Sequence, residues 1–460
     1  MLQRKPKILI IYKFLDFPLR TTIDEHLYSF LRYADAHVYY CMLDMGREMA
    51  FSQEPVPSYL LKIDFDIILY HYGFMSGRTS RPLVYERALK QVDPFKDHPA
   101  IKAILPQDEY FHSKNLAKFV NDFNIDVVFT VSPETEWQKI YDGVDFNKVK
   151  FYKVLTGYLD ERNQAKINSF LKGTEKDIDI GYRARNLPQW LGRHGYLKTE
   201  IADVFNSALK KFKLNTSIST RPEDTFFGYN WYKFQARCKY MLGVEGGATI
   251  LDPDGSIHEK GEKYLAEHPG CSFEEIEQAC FPGLDGKLQL IAISPRHLEA
   301  CATRTCQLLV ESTYNGILKP GVHYIEIKKD LSNIEEVLQL VQDDKKREEI
   351  VENAYRDIVA SKKYTYKSFV DFVIAKSLEE AKSAYFSRKT INNAILEKYN
   401  HYADWAAHRK YAYWMKYHRK VTNKWTYIIF LINVIKFLGL KAPIKKVYQV
   451  FKKKELHTIK

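Results

Sequence analysis

Cysteine is sparse and unpaired in this chain: Cys41, Cys238, Cys271, Cys280, Cys301 and Cys306 form no C-x-x-C pair, and no histidine cluster stands near them at zinc-ligand spacing. That argues against a zinc module or a disulfide framework and reads as reduced thiols in a cytosolic protein. No G-x-G-x-x-G fingerprint and no Walker-type loop occurs, so the two commonest glycine-loop routes to phosphate binding are absent. The apolar run Ile8–Tyr12 behind the basic start ends at Lys13, too short for a signal-peptide core, and the expected location is cytoplasmic. The apolar stretch Trp425–Leu440 is 16 residues long and contains Asn433 and Lys436, whereas a spanning helix needs ~20 apolar residues.

What is present is a folding composition. Apolar residues make up 45% of the 460 and aromatics 14%, which excludes a mostly unstructured scaffold and, at roughly 100–200 residues per domain, predicts two or three domains. Charge is unevenly placed. The last 80 residues hold 18 Lys and Arg against 3 Asp and Glu, while the preceding 380 hold 51 against 54. A near-neutral body with one basic tail fits an anionic surface approached from one end. Tyr411–Lys420 interleaves Tyr and Trp with Lys and Arg, and the stretch that follows fits a helix in the headgroup plane. Residues 392–460 are thus expected to touch an anionic membrane surface peripherally. A helical cap with a solvated basic face, or an aromatic-basic tail stacking on RNA bases, fits the same composition.

Short apolar runs at Ile8–Tyr12, His37–Leu43, Phe65–Tyr70, Ala103–Pro106, Ile125–Val131 and Val149–Val154 are mostly separated by helical patterns. This is the sequence form of a parallel sheet covered on both faces. A polar, Lys-rich stretch at Asn163–Lys176 marks a boundary. A second series then runs from Ile178–Tyr182 through Leu214–Ser219, Tyr240–Val244 and Leu290–Ile293 to strands near Leu308 and Tyr324, with helices at Ile334–Ala360 and Tyr366–Ala384. The expected fold class is α/β: two Rossmann-like doubly wound domains, 1–165 and 176–385, followed by a basic aromatic helical tail, 386–460.

Ligands of such sheets bind beyond the carboxyl ends of the strands, which selects the candidate residues. Arg183, Arg185 and Lys198 follow the first strand of the second domain and could face a diphosphate or line a solvated loop. Glu245, Gly246 and Gly247 follow Tyr240–Val244, where paired glycines admit a ligand to the backbone or make an ordinary turn. Asp252-Pro-Asp-Gly255 reads as a plain turn. Asp177-Ile-Asp179 has a metal-grip spacing but precedes a strand, where structure is expected rather than coordination. Asp108 and Glu109 follow a first-domain strand, and either is chemically suited to deprotonate a hydroxyl; Asp108 also suits a helix N-cap. Because successive side chains diverge, one of the two is expected to face the site. His71 is a second base candidate or a packed member of Tyr70-His-Tyr-Gly73.

The run Ser294-Pro-Arg-His-Leu-Glu-Ala-Cys-Ala302, followed by Gln307–Glu311 and Leu318–Ile325, resembles the donor-binding domain of group 1 glycosyltransferases of the GT-B fold, in the branch of spore-maturation and surface-polysaccharide enzymes. The likeness covers about 178–360. It implies two domains facing across a cleft, a nucleotide sugar held by the second and the acceptor by the first. Glu299 would grip the donor's ribose, with Arg183, Arg185 and Lys198 on the diphosphate; Arg296 and His323 lie in the same family-like segments. Many members carry a further Glu eight positions before the first, where this chain has Ile291. The expectation is a metal-independent Leloir glycosyltransferase that needs no cofactor beyond its donor. It would extend a lipid-linked glycan of the cell envelope, such as a capsule or O-antigen, without a nucleic-acid partner. A 2-epimerase-like nucleotide-sugar enzyme and a non-catalytic RNA- or membrane-associated protein are the alternatives.

Overall fold

The chain is described from a computed structural model, in which residues 4–13, 21–43, 56–380, 395–405 and 408 are described. The expected basic tail lies almost wholly outside them, as does the membrane-surface stretch. Its described part is a helix over 395–405, a unit separate from the body, on which Ile395, Tyr402 and Trp405 are exposed.

The body is built on two parallel sheets. In the first lobe β1 (Lys7–Lys13), β2 (His37–Leu43), β3 (Ile67–Tyr70), β4 (Ile101–Ile104), β5 (Val127–Thr130) and β6 (Lys150–Lys153) lie in the order β2-β1-β3-β4-β5-β6, every pair parallel. β1 is buried from Lys7 to Tyr12, as a strand covered on both faces must be. The second lobe contains β7 (Ile178–Arg183), β8 (Thr216–Ser219), β9 (Cys238–Gly243), β10 (Gly246–Ala248), β11 (Leu290–Ala292), β12 (Cys306–Val310) and β13 (Ile325–Ile327). Its main sheet runs β13-β12-β9-β7-β8, again all parallel. These are the two Rossmann-like doubly wound units expected from the strand–helix alternation.

The chain departs from expectation in three places. The run Leu290–Ile293, read as a member of the second sheet, instead forms β11 and pairs antiparallel with β10 outside that sheet. The pattern over Ile334–Ala360 divides into helices Ile334–Leu340 and Asp344–Ala354 and a π turn, Tyr355–Ala360. The break falls where the Asp343 carboxylate accepts from the Lys346 N–H and caps the second helix. The helix Tyr366–Glu379, placed by sequence in the second domain, packs on the first sheet: Tyr366, Phe369, Val370 and Val373 join the core of β1, β3 and β4. Spacing at i, i+3, i+4 and i+7 gives a helix one apolar face but does not say which sheet it covers. Conversely, helix Glu161–Leu171 places Ile167 in a core cluster with Tyr232 and Leu298 of the second lobe. The two crossings lie side by side, since the Leu159 N–H donates to Tyr364 O (2.9 Å) and the Tyr366 N–H to Leu159 O (2.9 Å).

The β10–β11 pair depends on Gly247. Its φ is +125°, and a Cβ there would stand 1.8 Å from the Leu290 carbonyl oxygen. Gly247→Ala is expected to destabilise the second lobe by about 2–4 kcal/mol through backbone strain and overpacking, read as a lowered thermal midpoint. An unchanged midpoint would show that the β10–β11 pair contributes little.

Candidate functional site

A cleft of about 250 Å³ lies between the lobes, walled by Thr21 and Thr22 of the first lobe and by segments that follow β7 and β11 in the second. It gathers Arg183, Arg185, Arg296 and Glu299 from the residues singled out by sequence. It adds Arg221, Phe226, Phe227 and Trp231, which no motif marked. Pro295 starts the helix Pro295–Ala302, suited to the first turn because its missing N–H is not needed there, and Glu299 sits one turn further on. The Glu299 carboxylate is 4% exposed and accepts from Trp231 Nε1–H (2.7 Å). Burial raises its pKa, and the indole hydrogen bond and nearby Arg296 partly offset the rise.

The arginines of this cleft differ in what they have left to offer. Arg183 donates through Nε to Asp224 O, through Nη1 to Tyr182 O and Ser217 O, and through Nη2 to Ser217 Oγ, with its guanidinium 4.5 Å from the Phe234 ring centroid. Four of its five N–H donors are therefore committed to bracing the loop after β7. Arg296 donates to Arg183 O (2.9 Å). Arg185 is exposed and makes no hydrogen bond or ion pair among the described residues.

A second group stands beside it. Tyr182 Oη donates to Lys198 O (2.7 Å), tying the turn of helix Arg193–Ala208 that carries Lys198 to β7. The Lys198 ammonium has no hydrogen-bond partner among the described residues. A Cβ on Gly246 would lie 3.8 Å from it, so Gly246 leaves room beside the ammonium. Burial and the neighbouring Arg296 bring the Lys198 pKa down to about 8, while Asp108 and Glu245 act to raise it. Glu245, buried at the end of β9, accepts from Ser312 Oγ through Oε2; its Oε1 is buried without a partner. Burial raises its pKa.

Of the adjacent carboxylates, only Asp108 faces outward. It is exposed, in a left-handed backbone conformation (φ 51°), and within electrostatic reach of Lys198. Glu109 is fully buried and accepts from Thr130 Oγ1 (2.6 Å), the Val131 N–H (2.9 Å) and Tyr141 Oη (2.5 Å). It anchors the loop and is corrected from a candidate base to a structural residue. Arg78, missed in the sequence, holds the same loop from within. Only 1% exposed, it donates to Met75 O, Gln107 O, Asp108 O and Phe111 O. Asp252-Pro-Asp-Gly255 is more than a turn: Phe111 and Asp252 form a backbone bridge between the lobes, and the Asp252 carboxylate caps the next helix at the Gly255 and His258 N–H groups.

Three further candidates are structural. His323 accepts from the Lys319 N–H through Nδ1 and meets Asp357 at Nε2 (3.1 Å), so neither ring nitrogen is left for phosphate or sugar. His71 is buried, accepts from the Gly73 N–H and lies 2.9 Å from His26 Nδ1, in an aromatic cluster. Gly247 serves the β10–β11 pair. Asp177 and Asp179 are paired with Arg237 and Lys239, and no cluster of three or more metal-ligating side chains occurs among the described residues.

No described protein family matches the chain, and no curated protein does. Among solved structures, Anabaena HepE in complex with UDP-glucose is similar at 11% identity over 81% of this chain and 99% of its own, with a TM-score of 0.43. An alpha-glucosyltransferase in complex with UDP-glucose and abasic DNA matches at 13% over 83% and 100%, TM-score 0.46. Sucrose-phosphate synthase from Thermosynechococcus elongatus matches at 11% over 82% and 100%, TM-score 0.42. Likeness at this level carries no argument about residues or chemistry.

Near the cleft, Glu25 of helix Thr21–Leu27 is buried and accepts from Asn163 Nδ2, whose Oδ1 in turn accepts from Tyr229 Oη (2.8 Å). Burial, with Glu299 and Asp160 nearby, pushes its pKa up to about 9. Between pH 4.5 and 9 the folded protein keeps a proton that the unfolded chain has lost, so this residue makes stability fall as pH rises through that window. Glu25→Gln retains the acceptor and removes the titration. Its thermal midpoint should exceed the parent's at pH 8 and match it near pH 4.5; an equal offset at both values would refute the titration.

Proposed function

We propose that the chain is a glycosyltransferase that moves a sugar from a nucleotide-activated donor to a hydroxyl acceptor. The observation that carries this reading is the inter-lobe cleft. It joins cations at the carboxyl end of a Rossmann-like sheet to an indole-oriented carboxylate and the aromatic rings of Phe226, Phe227 and Trp231. Aromatic faces suit a nucleobase, Glu299 suits a ribose diol, and Arg185, Arg296 and Lys198 suit a diphosphate. Arg183 supports the same loop and presents Arg296 through its carbonyl.

In this reading the acceptor oxygen attacks the anomeric carbon of the donor. The bond from that carbon to the phosphate oxygen breaks, and the electron pair leaves with the nucleotide diphosphate. Lys198 and Arg296 stabilise the departing charge, and Asp108 takes the acceptor proton. Cationic side chains thereby do the electrostatic work that a divalent metal does elsewhere, and the reading calls for no metal. The left-handed conformation of Asp108, held by Arg78 and Glu109, fits a group positioned rather than free. A lipid-linked glycan acceptor at the inner face of a membrane, in capsule or O-antigen synthesis, is the finer part of the proposal; its support is the basic, aromatic composition of residues 392–460.

The test is thermal-shift titration with UDP, GDP, dTDP and CMP. A nucleotide at 100 times its dissociation constant adds about 2.7 kcal/mol to stability, and Arg296→Ala and Glu299→Ala should remove the shift. No response to any of the four would overturn the reading. Because the Lys198 ammonium loses its proton near pH 8, affinity for the responding nucleotide should fall between pH 7 and 9, and Lys198→Arg should flatten that profile. An unchanged slope in the arginine variant would remove Lys198 from the phosphate site.

A further inference from the structure

A second cavity, of about 550 Å³, opens between the lobes along the loop that carries Asp108. Phe111 and His112, three and four residues beyond Asp108, line it. Helix Pro82–Val92 and helix Ser113–Asp122 supply its first-lobe wall, and Asp254, His258 and Glu259 the opposite one. Its chemistry differs from that of the phosphate-suited cleft. There, four arginines and one glutamate line the wall; Arg183 is committed to the loop after β7 and Arg221 is paired with Asp224 (2.8 Å), which leaves Arg185 and Arg296 beside Glu299. Here the Arg78 guanidinium is absorbed by four carbonyl groups, Lys118 is paired with Asp122 (2.7 Å), and Lys114 reaches Asp254 (2.9 Å). Arg81 is left opposite Glu86 and Glu259, and these three side chains make no hydrogen bond or ion pair among the described residues. Four cations, Arg78, Arg81, Lys114 and Lys118, thus stand against four carboxylates, Glu86, Asp122, Asp254 and Glu259, so the cavity offers a phosphorylated ligand no cationic excess to offset its desolvation.

The wall also carries the half-buried rings of Phe111, His112 and His258, backed by the buried Tyr85 and Phe119, and the Tyr85 hydroxyl is buried without a partner. Ring faces packing on the C–H faces of pyranoses, with carboxylate and guanidinium groups at the rim for hydroxyl pairs, are what a neutral carbohydrate needs. The volume falls within the ~300–1,000 Å³ of ordinary ligand pockets and exceeds what a single sugar ring fills.

We propose that this cavity binds a neutral oligosaccharide, the part of the acceptor glycan behind the sugar that reacts near Asp108. The inference rests on the glycosyltransferase reading for its place in the reaction. The loop from Asp108 to His112 then serves both sites, presenting its carboxylate at one end and its rings at the other.

The experiment is saturation-transfer NMR on the full chain with maltotriose, cellotriose and triacetylchitotriose, repeated on the Glu86→Trp/Glu259→Trp double variant. Both substitutions are at exposed positions and would fill the rim. At least one trisaccharide should bind the parent and lose tenfold or more of its affinity in the variant, while the nucleotide-induced thermal shift is unchanged. Binding of none of the three, or binding that the variant leaves intact, overturns the cavity proposal even where a nucleotide shift is present. A missing nucleotide shift with trisaccharide binding intact in the parent and lost in the variant overturns the transferase reading and leaves the cavity as a sugar site.

Discussion

A buried guanidinium and a buried carboxyl group hold one loop in place, and the wall of the second cavity depends on them. Arg78 grips the segment Leu105–Ser113 through its carbonyls and Glu109 ties it to Thr130, Val131 and Tyr141, and the hydrogen bonds of neither are made to the other. The guanidinium is satisfied by carbonyl dipoles and the carboxylate by hydroxyl and N–H donors. Buried polar groups satisfied by fixed dipoles would lose those bonds in another geometry, which favours this conformation of the loop, and burial raises the Glu109 pKa. The left-handed backbone at Asp108 and His112 is the strain that this holding sustains. With the loop fixed, Asp108 projects outward and the Phe111–Asp252 bridge brings the second lobe against the first.

Charge is then divided between two inter-lobe spaces. Arginine dominates one, and paired or carbonyl-absorbed charges leave the other close to neutral with aromatic walls. Under the proposed reading such a division would separate an anionic from an uncharged ligand by the desolvation each would meet in the other's space.

The strands of both sheets were legible because buried parallel strands write themselves as short apolar runs, continuous at Ile8–Tyr12 and broken by Asp179 and Gly181 at Ile178–Tyr182. The cleft residues that follow strands were legible for the same reason: Arg183, Arg185, Arg296 and Glu299 occupy positions fixed by topology. Arg78 was not, because a buried cation bonded to carbonyls has no sequence partner at a recognisable spacing. Trp231 is far in sequence from Glu299, whose carboxylate it meets, and the local pairing of Arg221 with Asp224 gives no sign of a cleft. His323 was overvalued because a histidine in a motif-like segment looks the same in sequence whether its nitrogens face a ligand or, as here, Lys319 and Asp357. The destination of helix Tyr366–Glu379 was hidden for a different reason: two equivalent sheets offered it a face, and local periodicity cannot choose between them.

That helix makes the first lobe discontinuous. Tyr366, Phe369, Val370 and Val373 complete a core whose remaining members lie before residue 155. During synthesis the strands from Lys7 to Lys153 emerge first but must wait for some two hundred further residues before the patch around Phe30, Leu27 and His26 is covered. The cores of the second lobe draw on residues from Leu159 to Val359, and so are complete only a few residues before that helix begins. Vectorial production therefore lets both interiors close at nearly the same point in the chain, and the nascent amino-terminal half carries uncovered apolar surface until then.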